Sequence, residues 1–273
     1  MLKPDVVKEL QDLRGLTWTR TRHSSGTAGS YLKSYQDVGG RQIYYKLSCY
    51  DSVHGITGHE SVNEIIVDRL LTVLGIDHLS YQLINGLIEV EGKEYETWLC
   101  ASENFRESGE SKLALDDYYD LHKTEGESPL EFCLRNGWGK YIYEMLITDF
   151  LILNRDRHGA NIEVLLNRVT GNARLAPLFD HGLSLMYSCS SEQEIDKFDI
   201  AADLPVQSFV GSRSAADNLK LVPPDVFNGI RKLEDRDRAL IFRDLDKCMT
   251  AKHMGKLWEM IMWRWNYLEN IFN

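Results

Sequence analysis

A chain of 273 residues has room for one large domain or for two lobes around a cleft, with a sizeable buried core. Apolar residues at 43% and charged residues at 26% exclude wholesale disorder. A net charge of −10 argues against a protein that coats a nucleic-acid backbone, which needs a surplus of Lys and Arg.

No apolar run reaches the roughly 18–20 residues that span a bilayer, and the acidic balance speaks against docking on an anionic membrane. The opening MLKPDVVKELQDLRGL is amphipathic and charged, without the apolar core and cleavage site of a secretory signal. Five scattered cysteines, with no C-x-x-C pair, read as free thiols in a reducing cytoplasm rather than a zinc site. A cytoplasmic location is therefore expected.

Residues 15–50 read as strands and turns. Within them the small, flexible run SSGTAGS covers residues 24–30, and Val38-Gly39-Gly40 signals a turn. The segment QIYYKL at 42–47 is rich in aromatic and branched residues and suits a strand. At His59 the period changes. Val62, Ile65, Ile66, Leu70, Val73 and Leu74 then fall on one helical stripe that Gly75 terminates. Residues 79–100 return to strand character around a Gly-Lys turn at 92–93, and residues 103–111 turn polar, as a connection between lobes would. Beyond them the pattern is mainly helical: a helix over 138–153, a hairpin with its turn at 170–172, and helices near 223–233, 235–249 and 251–272. The last carries Trp258, Ile261, Met262, Trp265 and Leu268 on one apolar face, which predicts core packing. The acidic stretch 106–131 is compatible with either an ordered insert or a mobile loop. The expected fold class is α+β, with a strand-rich lobe over 1–103 and a mainly helical lobe over 104–273.

Between the long helix and the hairpin stands NRDRHGAN, residues 154–161, followed nineteen residues later by Asp180. Phosphoryl transfer from ATP needs a carboxylate near the attacking hydroxyl, oxygen ligands for Mg²⁺ and cations on the phosphates. Asp156 and Asn161, five positions apart on one loop, can supply the carboxylate and one ligand. Asp180 at the end of a hairpin strand can supply another, and Mg²⁺ prefers such hard oxygens. Taken alone, the spacing is also open to a plainer explanation, an Asx turn with a capping Asp. Three features in the required order favour the chemical reading. Lys46 lies in a strand after the Gly/Ser-rich turn, where a phosphate-binding lysine belongs. Glu64 follows near the start of a helix as its pairing partner, with Glu60 a rival one turn earlier. Glu103 to Phe105 then falls between the lobes, where an adenine ring would meet backbone groups and an aromatic. The Gly/Ser-rich turn itself offers Ser25, Gly26, Thr27 and Gly29 as nucleotide contacts.

The chain resembles the HipA-like bacterial serine/threonine kinases, including their compact, single-module CtkA-like members. NEIIVDRLLTVLGI, LITDFLILNRDRHGANIEVLL and RLAPLFDHGLSL carry the resemblance, which runs from about Ser24 to Asp180. It implies a two-lobed protein-kinase-like fold and ATP- and Mg²⁺-dependent transfer to Ser/Thr hydroxyls. By the same resemblance Asp156 is the catalytic base, Asn161 and Asp180 are Mg²⁺ ligands, and Lys46 is the phosphate-binding lysine paired with Glu64. Glu103 and Phe105 lie at the adenine hinge, and His158 orients the loop or touches phosphate. Autophosphorylation would have Ser24, Ser25, Thr27 and Ser30 as candidates.

The chain departs from the familiar eukaryotic pattern in having N-R-D and Asp180-His181-Gly182, so switching by a Phe after the metal ligand is not expected. About twenty residues precede the nucleotide loop, so the additional N-terminal subdomain of toxin-type HipA proteins, and with it an antitoxin contact, is expected to be missing; another antitoxin-type or effector partner stays open. Two alternatives share these residues: a small-molecule or lipid kinase of the same fold, and a nucleotide-binding module without catalysis. A hydrolase on His158 and His181 lacks both H-E-x-x-H and G-x-S-x-G.

Overall fold

The structure is a computed structural model and describes residues 5–19 and 31–272. Its first strand, β1 (Val6–Asp12), lies in the charged opening segment, which periodicity alone did not mark as a strand. Next come β2 (Lys33–Val38), β3 (Arg41–Lys46), the small hairpin β4 (Cys49–Asp51) and β5 (Gly55–Thr57), and helix α1 (Glu60–Leu74). Strands β6 (Gln82–Val90) and β7 (Lys93–Glu103) complete a five-stranded sheet of order β1-β6-β7-β3-β2. β1 pairs parallel to β6 and the other neighbours are antiparallel. A charged strand is held here by pairing with the largely buried β6 at Val6, Val7, Gln11 and Asp12, with a shift of register between Val7 and Gln11.

Helix α1 forms as its stripe predicts. Gly75 ends it at a φ of 75°, a left-handed conformation that glycine adopts without steric cost, and its amide closes on the Leu71 and Thr72 carbonyls.

The connection over 103–111 leads into a strand, β8 (Glu110–Ala114), so the 106–131 stretch is an ordered element. Helices α2 (Leu115–His122), α3 (Pro129–Arg135) and α4 (Gly139–Leu151) follow. Ser128 and Glu131 cap α3 reciprocally. The loop of interest contains the short β9 (Asp156–Arg157) and a 3₁₀ turn over Gly159–Asn161. The expected hairpin is β10 (Glu163–Asn167) with β11 (Ala173–Leu175), and β8 adds a third strand beside β10. Then come α5 (Glu192–Lys197), β12 (Gln207–Ser208), α6 (Ala215–Asn218), α7 (Pro224–Asn228), α8 (Arg238–Ile241) and α9 (Ala251–Phe272).

Two expected helices are shorter than their patterns suggested. The 223–233 segment is helical only to Asn228, and 235–249 only as a 3₁₀ turn plus α8. The Arg231 guanidinium closes on Asp237 with both bonds at 3.0 Å, and Asp244 takes a φ of 62°. These side-chain and backbone commitments compete with continued helix.

The core has two parts. The larger cluster unites α1 (Ile65, Ile66, Leu70) with α4 (Ile142, Met145, Phe150) and α9 (Leu257, Ile261, Trp265). The smaller lies on one face of the five-stranded sheet and holds Tyr45, Leu47, Ile84, Ile88 and Leu99. Side chains alternate along β3, so burying Tyr45 sends Lys46 to the opposite face, toward α1. The five cysteines are free thiols. Among the described residues no helix is long and apolar enough to cross a membrane.

Candidate active site

Lys46 ends β3 with its ammonium between two carboxylates. It stands 3.1 Å from Glu64 Oε1 and donates to Asp180 Oδ1. The Tyr31 ring lies 5.1 Å away as a cation–π partner. Side-chain exposure is 13% for Lys46, 0% for Glu64 and 27% for Asp180, so Asp180 is the member facing the solvent. Burial opposes the charge on Lys46, but Asp180 and Glu64 outweigh it and hold the ammonium above its usual range. Burial likewise opposes ionisation of Asp180, yet Lys46, then Lys33 and Arg157, keep its carboxyl well below the usual range. Glu64 goes the other way, because its burial outweighs the pull of Lys46.

Glu60, the rival partner, is engaged elsewhere: Oε1 accepts from the Tyr31 hydroxyl at 3.3 Å and Oε2 from the Cys49 amide at 3.3 Å.

Glu64 does more than pair with Lys46. Its two oxygens accept the backbone amides of His181 (2.9 Å) and Gly182 (3.1 Å). Its neighbour Asn63 donates to the carbonyls of Gly182 and Ser184, both at 3.1 Å. The Asn63-Glu64 pair thus grips both the N–H and C=O groups of the turn after Asp180. A side chain at Gly182 would press on Glu60 Cβ at 3.1 Å, which suits glycine in this turn. His181 is buried, and burial together with the nearby Arg157 keeps its imidazole neutral.

The second group is the 154–161 loop. Asn161 donates its side-chain N–H to the Asp156 carbonyl at 2.8 Å and to Asp156 Oδ2 at 3.2 Å. His158 Nε2 lies 3.4 Å from Asp156 Oδ1, and its Nδ1 accepts from the Ala160 amide at 3.2 Å. That arrangement fits a loop-orienting histidine.

Arg157, 1% exposed, joins the two groups. It pairs with Asp149 of α4 through contacts of 3.0–3.2 Å. From there it reaches the Phe179 carbonyl at 2.9 Å and the Asn161 carbonyl at 3.5 Å. A buried guanidinium is tolerated because it is paired and its N–H groups are used. Arg157 stood inside the sequence motif, but nothing in its spacing marked it as the staple. Beside the loop, β12 pairs in parallel with β9 and sets Gln207 opposite Asp156.

At the interlobe segment, Phe105 packs on Phe179, the residue before Asp180, with ring centroids 5.6 Å apart. The Glu103 side chain, by contrast, pairs with exposed Arg41 at 3.1 Å. Ser25, Gly26, Thr27 and Gly29, with Ser24 and Ser30, lie outside the described residues.

The donor set suits a hard cation. Asp180 is ionised, and Asn161, with its N–H committed to Asp156, has its amide oxygen left as the ligand atom. Among the described residues no three His, Cys, Asp or Glu side chains gather as a metal site of their own. A cation here would take two protein oxygens and complete its shell with water and phosphate, as Mg²⁺ does.

No protein-family model and no curated protein sequence matches the chain. Among solved structures it is similar to the proinflammatory kinase CtkA of Helicobacter pylori, with a TM-score of 0.66 and 14% identity over 97% of this chain and 98% of that one. It is also similar to HipA of Shewanella oneidensis, solved with HipB and operator DNA, at a TM-score of 0.48 and 14% identity over 90% of this chain and 66% of that one. The likeness to CtkA establishes the fold: α+β, two-lobed and protein-kinase-like, with a strand-rich first lobe and a mainly helical second.

Proposed function

We propose that this chain is an ATP- and Mg²⁺-dependent protein kinase that phosphorylates Ser or Thr hydroxyls, with the lobes dividing between Glu103 and Asn104. The observation that carries this reading is the Lys46 ammonium buried between Glu64 and Asp180, with the Asp156–Asn161 loop stapled to the same strand end by Arg157. A lysine buried against two carboxylates, one of them turned to solvent, is the arrangement a cation awaiting phosphates would have.

In this reading Lys46 neutralises phosphate charge and Glu64 keeps it in place. Asp156 aligns the acceptor hydroxyl and takes its proton, and Asn161 holds the Asp156 carboxylate in position. Asn161 and Asp180 would hold Mg²⁺, which when bound supplies charge neutralisation on the phosphates. Most of the rate enhancement then comes from positioning and electrostatics.

The test is transfer from [γ-³²P]ATP into separate protein, small-molecule and lipid pools. Asp156→Asn should lower labelling of the protein pool by about a hundredfold or more, the scale of a lost general base, and leave ATP binding measurable. Undiminished labelling by that variant removes Asp156 from the role, and labelling confined to another pool changes the acceptor class.

A further inference from the structure

The turn that carries Asp180 hangs from side chains of the first lobe by three successive amides. Two of them, from His181 and Gly182, donate to Glu64. The third, from Asp180 itself, donates to the Tyr81 hydroxyl at 3.3 Å. Asp180 has a φ of 60°. A residue with a Cβ keeps that left-handed conformation where its surroundings over-determine it, and such residues gather at ligand clamps.

Tyr81 is braced in turn. Its amide donates to Asp68 Oδ2 at 2.6 Å. Asp68 Oδ1 lies 2.9 Å from His78 Nε2, and His78 Nδ1 lies 2.7 Å from the Ile76 carbonyl. Asp68 sits in α1, one turn after Glu64. The same link runs beside the strand end before Asp180, since the Leu79 amide donates to the Leu178 carbonyl at 2.8 Å. Helix α1 therefore supports the turn twice, through Glu64 directly and through Asp68 by way of Tyr81.

We propose that Tyr81 is a positioning residue for divalent-cation binding: its hydroxyl holds the Asp180 amide in the left-handed turn that presents the carboxylate, with Asp68 as its brace. The proposal rests on Asp180 being a ligand of that cation. The ring of Tyr81 packs against the larger hydrophobic cluster, so Tyr81→Phe keeps the packing and deletes one oxygen.

Mn²⁺ serves as the probe, because it shares the preference for carboxylate and carbonyl oxygens and is paramagnetic. Its affinity is measured by electron paramagnetic resonance with a non-hydrolysable ATP analogue present, beside nucleotide affinity in EDTA and the thermal midpoint. Tyr81→Phe should weaken Mn²⁺ binding about three- to tenfold, the scale of one hydrogen bond, with nucleotide affinity in EDTA and the midpoint little changed. Asp68→Asn, which keeps one carbonyl oxygen where the carboxylate meets the Tyr81 amide, His78 Nε2 and the Thr72 hydroxyl, should shift Mn²⁺ affinity in the same direction by a smaller factor. Unchanged Mn²⁺ affinity in Tyr81→Phe overturns the proposal, as does a loss matched by an equal loss of nucleotide affinity in EDTA. Should Tyr81→Phe fail to fold, the Asp68→Asn titration decides by the same criteria. An unsubstituted chain that binds no Mn²⁺ beside the analogue defeats the metal-site reading itself, and this proposal with it.

Discussion

At Lys46 the energetics of a single residue set the character of the site. Burying one ammonium is costly, and two carboxylates with the Tyr31 ring offset that cost. Removing the cation reverses the balance, because Glu64 and Asp180 are then left together without it. Lys46→Met should therefore destabilise the fold by about 3 kcal/mol, the low end for breaking a buried ion pair, and abolish phosphoryl transfer. Denaturant melts check the first part, and adding Asp180→Asn, which removes the like charge and leaves both Glu64 oxygens to the turn amides, should restore some of the lost stability. Lys46, Glu64, Asp156, Asn161 and Asp180 could be nominated along the chain as candidates because their residue types and order match one chemistry. Tyr81 could not be, since its partner is an amide 99 positions away and a tyrosine just ahead of a strand carries no such signal.

Among the elements, α1 and α9 formed as their apolar stripes required, whereas α7 and α8 stop short because local side-chain bonds compete with the helix. The N-terminus of α2 packs directly on the 3₁₀ turn of the 154–161 loop. A Cβ at Gly159 would stand 2.6 Å from Asp116 Cβ and 2.9 Å from the Asp116 amide. Gly159→Ala must displace either the loop or the helix, and since a misplacement of about 1 Å can cost on the order of a hundredfold in rate, transfer should fall by about that factor while ATP still binds. Single-turnover kinetics with bound ATP measure it. The start of α1 meets the start of α9 through His59 and His253, whose ring centroids are 4.6 Å apart and edge to face. Burial, reinforced by His59, lowers His253 to about 4, and burial lowers His59 as well. Between pH 6.5 and about 4 the unfolded chain then binds more protons at His253 than the folded one. Its contribution to stability is full above pH 6.5 and is lost as pH falls. Thermal melts across this window should slope less steeply in His253→Leu, by at most about 1.4 kcal/mol per pH unit.

Across the whole molecule, the first lobe's helix shares its core with the helices of the second, so the two lobes are not independent in stability. Arg69 of α1 makes the tie explicit. Its guanidinium reaches Asp5 just before β1 at 2.8 Å, and the carbonyls of Ile241 and Arg243 at the end of α8 at 3.0 and 2.6 Å. Arg69→Met removes all three bonds and leaves buried carbonyls without a donor, which should cost about 3 kcal/mol. A single cooperative transition shifted to lower denaturant would show that both lobes feel the loss; two separated transitions would contradict the shared core.

Periodicity and turn residues sufficed for the α+β order of elements, and residue type and spacing sufficed to nominate the phosphate, base and metal groups. Those are local properties, carried by neighbours within a helix turn or a loop. Folding added what depends on distant partners: a charged opening strand completed by the ladder of β6, Glu64 rather than Glu60 facing Lys46, Arg157 joining loop to strand end, and Tyr81 beneath the Asp180 turn. Each of these is a hydrogen bond or ion pair between residues far apart in sequence, and its energy is realised only where the packed core has brought the two together and removed the water between them.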